Sequence, residues 1–115
     1  MKWINIKENN LKDKFKKYKD YLIILIFSAT WCSPCKLLKR YILDNLLPEN
    51  KKIVFMYIDI DDNNLLRDEF EINGVPSLYF YKIFCKNKKY KVEQLDKITG
   101  CNGDKLVKLI ENYSE

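Results

Sequence analysis

Two cysteines stand three positions apart in the segment Trp31-Cys32-Ser33-Pro34-Cys35-Lys36. A pair at this spacing closes a small disulfide ring at low strain when the first cysteine sits at the start of a helix. There the unpaired backbone N–H groups and the helix dipole favour the thiolate, which is the reacting species. A thiolate at Cys32 can attack a substrate disulfide. Cys35, about one turn further along, can then attack Cys32 and release the reduced substrate. Pro34 suits the first helical turn because its missing N–H would have no partner there. Ser33 sets a small hydroxyl beside the sulfur, and Trp31 gives it an aromatic wall.

The same spacing is half of a zinc site, which needs two further ligands. The chain has no histidine, and its other cysteines, Cys85 and Cys101, do not repeat the paired spacing. Redox chemistry is therefore the reading, with no metal and no cofactor beyond the Cys32–Cys35 disulfide itself. Cys85 and Cys101 read as ordinary half-buried thiols; a second disulfide, a regulatory thiol or a dimer link are the other uses open to them.

The elements that must hold this pair can be read from periodicity. Lys2 to Ile6 reads as a short strand. A helix then starts at Asn9 or Asn10 with Leu11, Phe15 and Tyr18 on one face, and Asp20 closes it. Tyr21 to Ser28 is almost continuously apolar, as expected of a strand covered on both sides. The motif follows directly, and a helix runs from about Pro34 to Leu47, with Leu38, Ile42 and Leu46 every four residues. Ile53 to Ile60 reads as a strand, and Asp61 and Asp62 offer N-caps for a short helix through Phe70. An aromatic-rich strand over Leu78 to Phe84, a Lys/Asn turn and a less regular strand between Tyr90 and Thr99 come next. Gly100 breaks the chain, and a last helix starts at Asn102 or Gly103 with Leu106, Val107, Ile110 and Tyr113 inward. Early alternation of strand and helix demands parallel crossovers, and the late short turn demands an antiparallel hairpin. A mixed sheet with helices on both faces follows.

Over almost its whole length the sequence resembles the thioredoxin family. The apolar strand leading into Trp-Cys-x-Pro-Cys-Lys is one mark, and Gly74-Val75-Pro76-Ser77 is the second. The resemblance implies an α/β thioredoxin fold: a central mixed sheet of four to five strands flanked by about four helices, one domain over residues 1–115. It implies a cis peptide between Val75 and Pro76, with Pro76 against the disulfide and the Val75 backbone pairing with an extended substrate. Gly100 resembles the later glycine that lets substrate approach. The implied activity is protein disulfide oxidoreduction on disulfide-containing clients, with a flavin-dependent reductase as recycling partner and a monomer as the default state. The reducing branch is favoured because Pro34 stands where the oxidising branches commonly carry histidine. The opposite direction, an oxidase or isomerase, and a binding module with little turnover are the competing readings.

Two departures stand out. A buried aspartate that serves the second cysteine is matched by Ile26, and its lysine partner by Tyr57. The loss of both is consistent, because one buried charge left alone is costly. The kink proline of the helix after the motif is replaced at Arg40 or its neighbours, so a straighter helix is expected.

Composition narrows the rest. The 115 residues suit one domain, and 47% hydrophobic content supplies a core. The amino terminus is too polar for a signal peptide, and no apolar run reaches the ~20 residues that span a membrane. A cytoplasmic protein is expected, since paired cysteines in a reducing compartment are more often catalytic than structural. The net charge is +5, with lysines gathered in Lys12 to Lys19 and Lys82 to Lys91. These runs match no nucleic-acid motif and read as solvated faces.

Overall fold

The computed structural model describes residues 1–114. In chain order its elements are β1 (Lys2–Asn5), α1 (Leu11–Lys17), β2 (Leu22–Ser28), α2 (Ser33–Tyr41) with a π-helical turn over Ile42–Leu46, β3 (Ile53–Asp59), α3 (Asn64–Glu69), β4 (Ser77–Lys86), β5 (Lys89–Thr99) and α4 (Gly103–Tyr113). The five strands form one sheet in the order β1-β3-β2-β4-β5. β1 and β2 run parallel to β3, while β4 runs antiparallel to both β2 and β5. This is the mixed sheet expected, at the upper strand count.

β2 is buried at every one of its 7 residues. A strand flanked on both edges and covered on both faces has no room for an unpaired polar side chain, which explains its near-continuous apolar run; its one polar residue, Ser28, accepts from Tyr57. Alternate residues serve opposite faces. Ile23, Leu25 and Phe27 pack with Leu66 and with the partly buried Leu11 and Phe15, on the α1 and α3 side. Leu22, Ile24 and Ile26 pack with Leu38 and Ile42 and with Leu106 and Ile110 of α4. Each large apolar side chain withdrawn from water in this way contributes roughly 1.5–3 kcal/mol before chain entropy is counted. Leu109 is also buried, whereas Val107 and Tyr113 of the same helix are only partly so.

Three expectations are corrected. The helix after the motif is not α-helical all the way to Leu47: it widens over Ile42–Leu46, where the Leu47 N–H donates to the Ile42 carbonyl at 2.8 Å. A four-residue step overshoots an α turn by about 40°. The wider turn takes that rotation back, keeping Ile42 and Leu46 both against the sheet. The first residue of α3 is preceded by Asn63, not Asp61 or Asp62; the Asn63 amide donates to the Asp59 carbonyl, and the Leu65 N–H donates to the Glu8 carboxylate. Finally, the hairpin is longer than its pattern suggested. β4 and β5 stay paired to Lys86–Lys89, turning through Asn87 and Lys88 with φ of 53° and 64°. Such two-residue turns with both φ positive match the twist of a hairpin.

Within the α1 face, the Tyr81 ring lies 5.6 Å from that of Phe15, and its hydroxyl donates to Gln94. Burial pushes the Tyr81 phenol up to about 12, with neighbouring Tyr79 adding to the effect. The folded form thus holds its proton where the unfolded chain, at about 10, has lost it. Stability from this group is complete below pH ~10 and falls as pH rises towards ~12. Tyr81→Phe is expected to flatten that alkaline decline in urea-unfolding free energy; an unchanged slope from pH 9 to 12 means Tyr81 is not the group responsible.

Candidate active site

The site forms where β2 ends. In open α/β sheets, crevices open at the carboxyl ends of strands whose connections leave to opposite faces. β2 passes its chain to α2 on one face and β3 passes its chain to α3 on the other. Cys32 lies at this junction.

Cys32 is the N-cap of α2, in extended backbone conformation, with Pro34 in the first turn. Its sulfur is joined to that of Cys35 in a disulfide, with the two Cα atoms 5.3 Å apart. The Cys35 N–H points at Cys32 Sγ at 3.3 Å, so an orphan donor of the helix start is aimed at the sulfur that would carry negative charge. Cys32 and Cys35 are only 5% and 3% exposed, whereas Trp31 is 66% exposed, and Ser33 and Pro34 face solvent. The sulfur pair therefore sits just beneath a surface formed by its own neighbours.

A second segment meets it from the other side of β2. The Val75–Pro76 peptide is cis, and the Val75 carbonyl oxygen lies 3.6 Å from Cys32 Sγ. Ser77 donates to the Gly74 carbonyl at 2.7 Å, tying the loop to the start of β4. Pro76 is buried, and its carbonyl accepts from the Gly100 N–H at 2.9 Å. Gly100 has φ of 85°, a conformation that strains any residue with a Cβ; an added Cβ would nonetheless touch nothing within 4 Å. Glycine here answers to the backbone, and the space beside it is open. The structure thus brings Cys32, Cys35, Val75 and Pro76 together, with Trp31, Ser33 and Pro34 on the outer rim and Gly100 one hydrogen bond away.

One contact was not legible in the sequence. The Trp31 indole N–H donates to the Asp61 carboxylate at 2.9 Å, linking the rim of the motif to the loop after β3. Asp61, a helix-cap candidate by sequence, instead accepts from Trp31, which the parallel pairing of β2 with β3 brings within reach.

Below the motif, the departures at 26 and 57 fall side by side. Ile26 and Tyr57 are register partners on β2 and β3. Ile26 is 3% exposed among apolar side chains. The Tyr57 hydroxyl donates to Ser28 Oγ at 2.9 Å, and the Lys39 ammonium lies 5.0 Å above the Tyr57 ring. An apolar side chain and a neutral hydrogen bond fill the place of an ion pair.

Cys85 and Cys101 are free thiols, and both are exposed, not half-buried. Cys85 lies on the outer part of the hairpin and Cys101 in the loop after Gly100, both beyond the core. Among the described residues no three His, Cys, Asp or Glu side chains converge as metal ligands.

A solved structure of Trichomonas vaginalis thioredoxin superposes with a TM-score of 0.80 at 26% identity, covering 98% of this chain and 96% of that one. Plasmodium falciparum thioredoxin gives 0.79 at 26% identity, over 97% and 87%. In sequence, the thioredoxin of Callithrix jacchus is 30% identical over 112 residues, 94% of this chain and 98% of that protein. The thioredoxin of Mus musculus is 32% identical over 95 residues, 83% and 82% of the two. The family model for thioredoxin matches residues 2–112, which takes in every strand and both halves of the sulfur site. A likeness that leaves so little of the chain outside it, around a cysteine pair already joined, has one reading: this chain belongs to the thioredoxin family of thiol–disulfide oxidoreductases.

Proposed function

We propose that the protein is a cytoplasmic protein disulfide reductase, with Cys32 as nucleophile and Cys35 as resolving thiol. The observation that carries this is the position of Cys32 Sγ, at the first turn of α2 under the Cys35 N–H and beside the Val75 carbonyl. In the reduced protein the Cys32 thiolate attacks one sulfur of a client disulfide. A mixed disulfide forms and the first client thiolate leaves. Cys35 then loses its proton and attacks Cys32 Sγ, expelling the second client thiolate and closing the Cys32–Cys35 bond. Two electrons have passed to the client, and a flavin-dependent reductase returns them to the pair. Trp31, Ser33 and Pro34 shape the client-facing rim, and the Val75 backbone aligns an extended client segment above Pro76, with Gly100 leaving it room.

Direction follows from how well the thiolate is held. A couple becomes oxidising when its reduced form is strongly stabilised. Here Pro34 has no N–H to offer, the chain has no histidine, and among the described residues the Cys35 N–H is the backbone donor on Cys32 Sγ. Pro34, standing where oxidising relatives commonly carry histidine, supports a reductant, and a monomer is the state proposed. No helix among the described residues is long and apolar enough to cross a membrane.

Equilibration with glutathione is expected to give a potential near about −270 mV; a value above about −200 mV reverses the direction and makes the protein a disulfide donor or isomerase. Cys35→Ser is expected to accumulate mixed disulfides between Cys32 and several clients, visible as reductant-sensitive bands; capture without a covalent link points instead to a binding module. Ile26→Asp is expected to raise turnover by about 10- to 100-fold, up to the low end of what a positioned acid–base group contributes. The same change should lower stability by a few kcal/mol, since a carboxylate replaces a buried apolar side chain. Turnover that does not rise means that another group already accepts the Cys35 proton.

A further inference from the structure

β2 and β4 part company before β4 ends. Their pairing stops at Ile23–Tyr81, yet β4 remains paired with β5 through Lys82 to Lys86. Along that stretch the edge of β4 that faces β2 deeper in the sheet has no strand partner among the described residues. A groove of about 560 Å³ lies beside this open edge, bounded by Lys82–Phe84, by Tyr21 and Leu22 at the start of β2, by the loop leading to β3, and by Tyr113 and Ser114 at the end of α4. It occupies the line that β2 vacates.

The described walls are basic. Lys19, Lys51, Lys52 and Lys82 line the groove, and Asp20 is the one acidic side chain among the described lining residues. Lys19 donates to the Tyr90 hydroxyl at 3.2 Å, and Lys51 lies 3.8 Å from Glu49. An ammonium has three donors, so both keep hydrogen-bonding capacity. Lys82 sits opposite Glu93 in the hairpin, but residues 82–91 themselves contain no acidic side chain. The two lysine-rich stretches of the sequence thus meet at one place, joined by the Lys19–Tyr90 contact. Phe84, 46% exposed, adds an apolar surface.

We propose that this groove takes an extended acidic segment of a partner protein, added as a strand along the open edge of β4. An unpaired strand edge offers N–H and C=O groups in alternation, the complement of another peptide backbone. Side chains of an added strand alternate between faces, so acidic residues at every second position would meet the lysine wall. A second copy of this chain would bring the same lysines against each other, and a nucleic acid would leave the edge unpaired. The groove lies at the amino end of β2 and Cys32 beyond its carboxyl end, roughly 20 Å away at ~3.3 Å per residue. A docked segment therefore leaves the disulfide free to react.

The test titrates the whole protein at low salt with a fluorescent, end-capped heptapeptide of alternating Glu and Val, read by anisotropy. Saturable binding is expected, weakened about tenfold when alternate peptide nitrogens are methylated, because the backbone bonds are lost while the charge stays. Replacing Lys19, Lys51, Lys52 and Lys82 together by Gln is expected to weaken it about tenfold as well, the sum of four modest surface charges. Reduction of a small aromatic disulfide by that variant should be unchanged, which shows it folded and separates this site from the redox site. Equal binding of the methylated peptide, tighter binding and displacement by an oligothymidylate, or no binding at all overturns the proposal.

Discussion

Everything in this molecule hangs on β2 being hydrogen-bonded on both edges and covered on both faces. Because it is central, the chain leaving its carboxyl end can go only upward into the turn that becomes α2, which puts Cys32 at a helix start. Because β3 lies parallel on one side, the loop after β3 arrives at the same end of the sheet and brings Asp61 to Trp31. Because β4 lies antiparallel on the other side, its beginning rather than its end reaches that level, and the Val75–Pro76 loop meets the sulfur. Three segments distant in sequence converge through strand direction alone.

The electrostatic character of the site follows from the same burial. No carboxylate stands at this level of the sheet: Ile26 is buried among apolar side chains, and Tyr57 bonds to Ser28 beneath the Lys39 ammonium. Cys32 Sγ, at the helix terminus, faces the Cys35 N–H. The two sulfurs are thereby unequal in position, one at the N-cap of α2 and the other inside its first turn.

Aromatic packing does much of the work that charge does not. Phe27 on β2, Phe70 after α3 and Tyr79 on β4 form a triangle of rings with centroids 5.0 to 6.0 Å apart, so the sheet and α3 are locked together under the site. Edge-to-face contacts of this kind add about 0.5–1.5 kcal/mol each beyond their buried area. The lysines, by contrast, stay outside this framework and concentrate where the hairpin outruns β2.

The sequence by itself determined the chemistry and the element order. Two cysteines at the end of an apolar run, with proline between them, are a local pattern, and local patterns can be read from spacing. The identity of β2 as a central strand was legible for the same reason, since seven buried positions leave a continuous apolar signature. What tertiary structure decided were the relations between distant segments. That Asp61 holds Trp31 and not the start of α3, that Glu8 serves the α3 backbone, and that Lys19 meets Tyr90 depend on strand order, which no single segment encodes. The wide turn at Ile42–Leu46 depends on the sheet surface against which that helix must keep Ile42 and Leu46. The exposure of Cys85 depends on where β2 begins, because β4 and β5 stay paired beyond that point. Periodicity records which residues share a face; only the folded chain settles what that face meets.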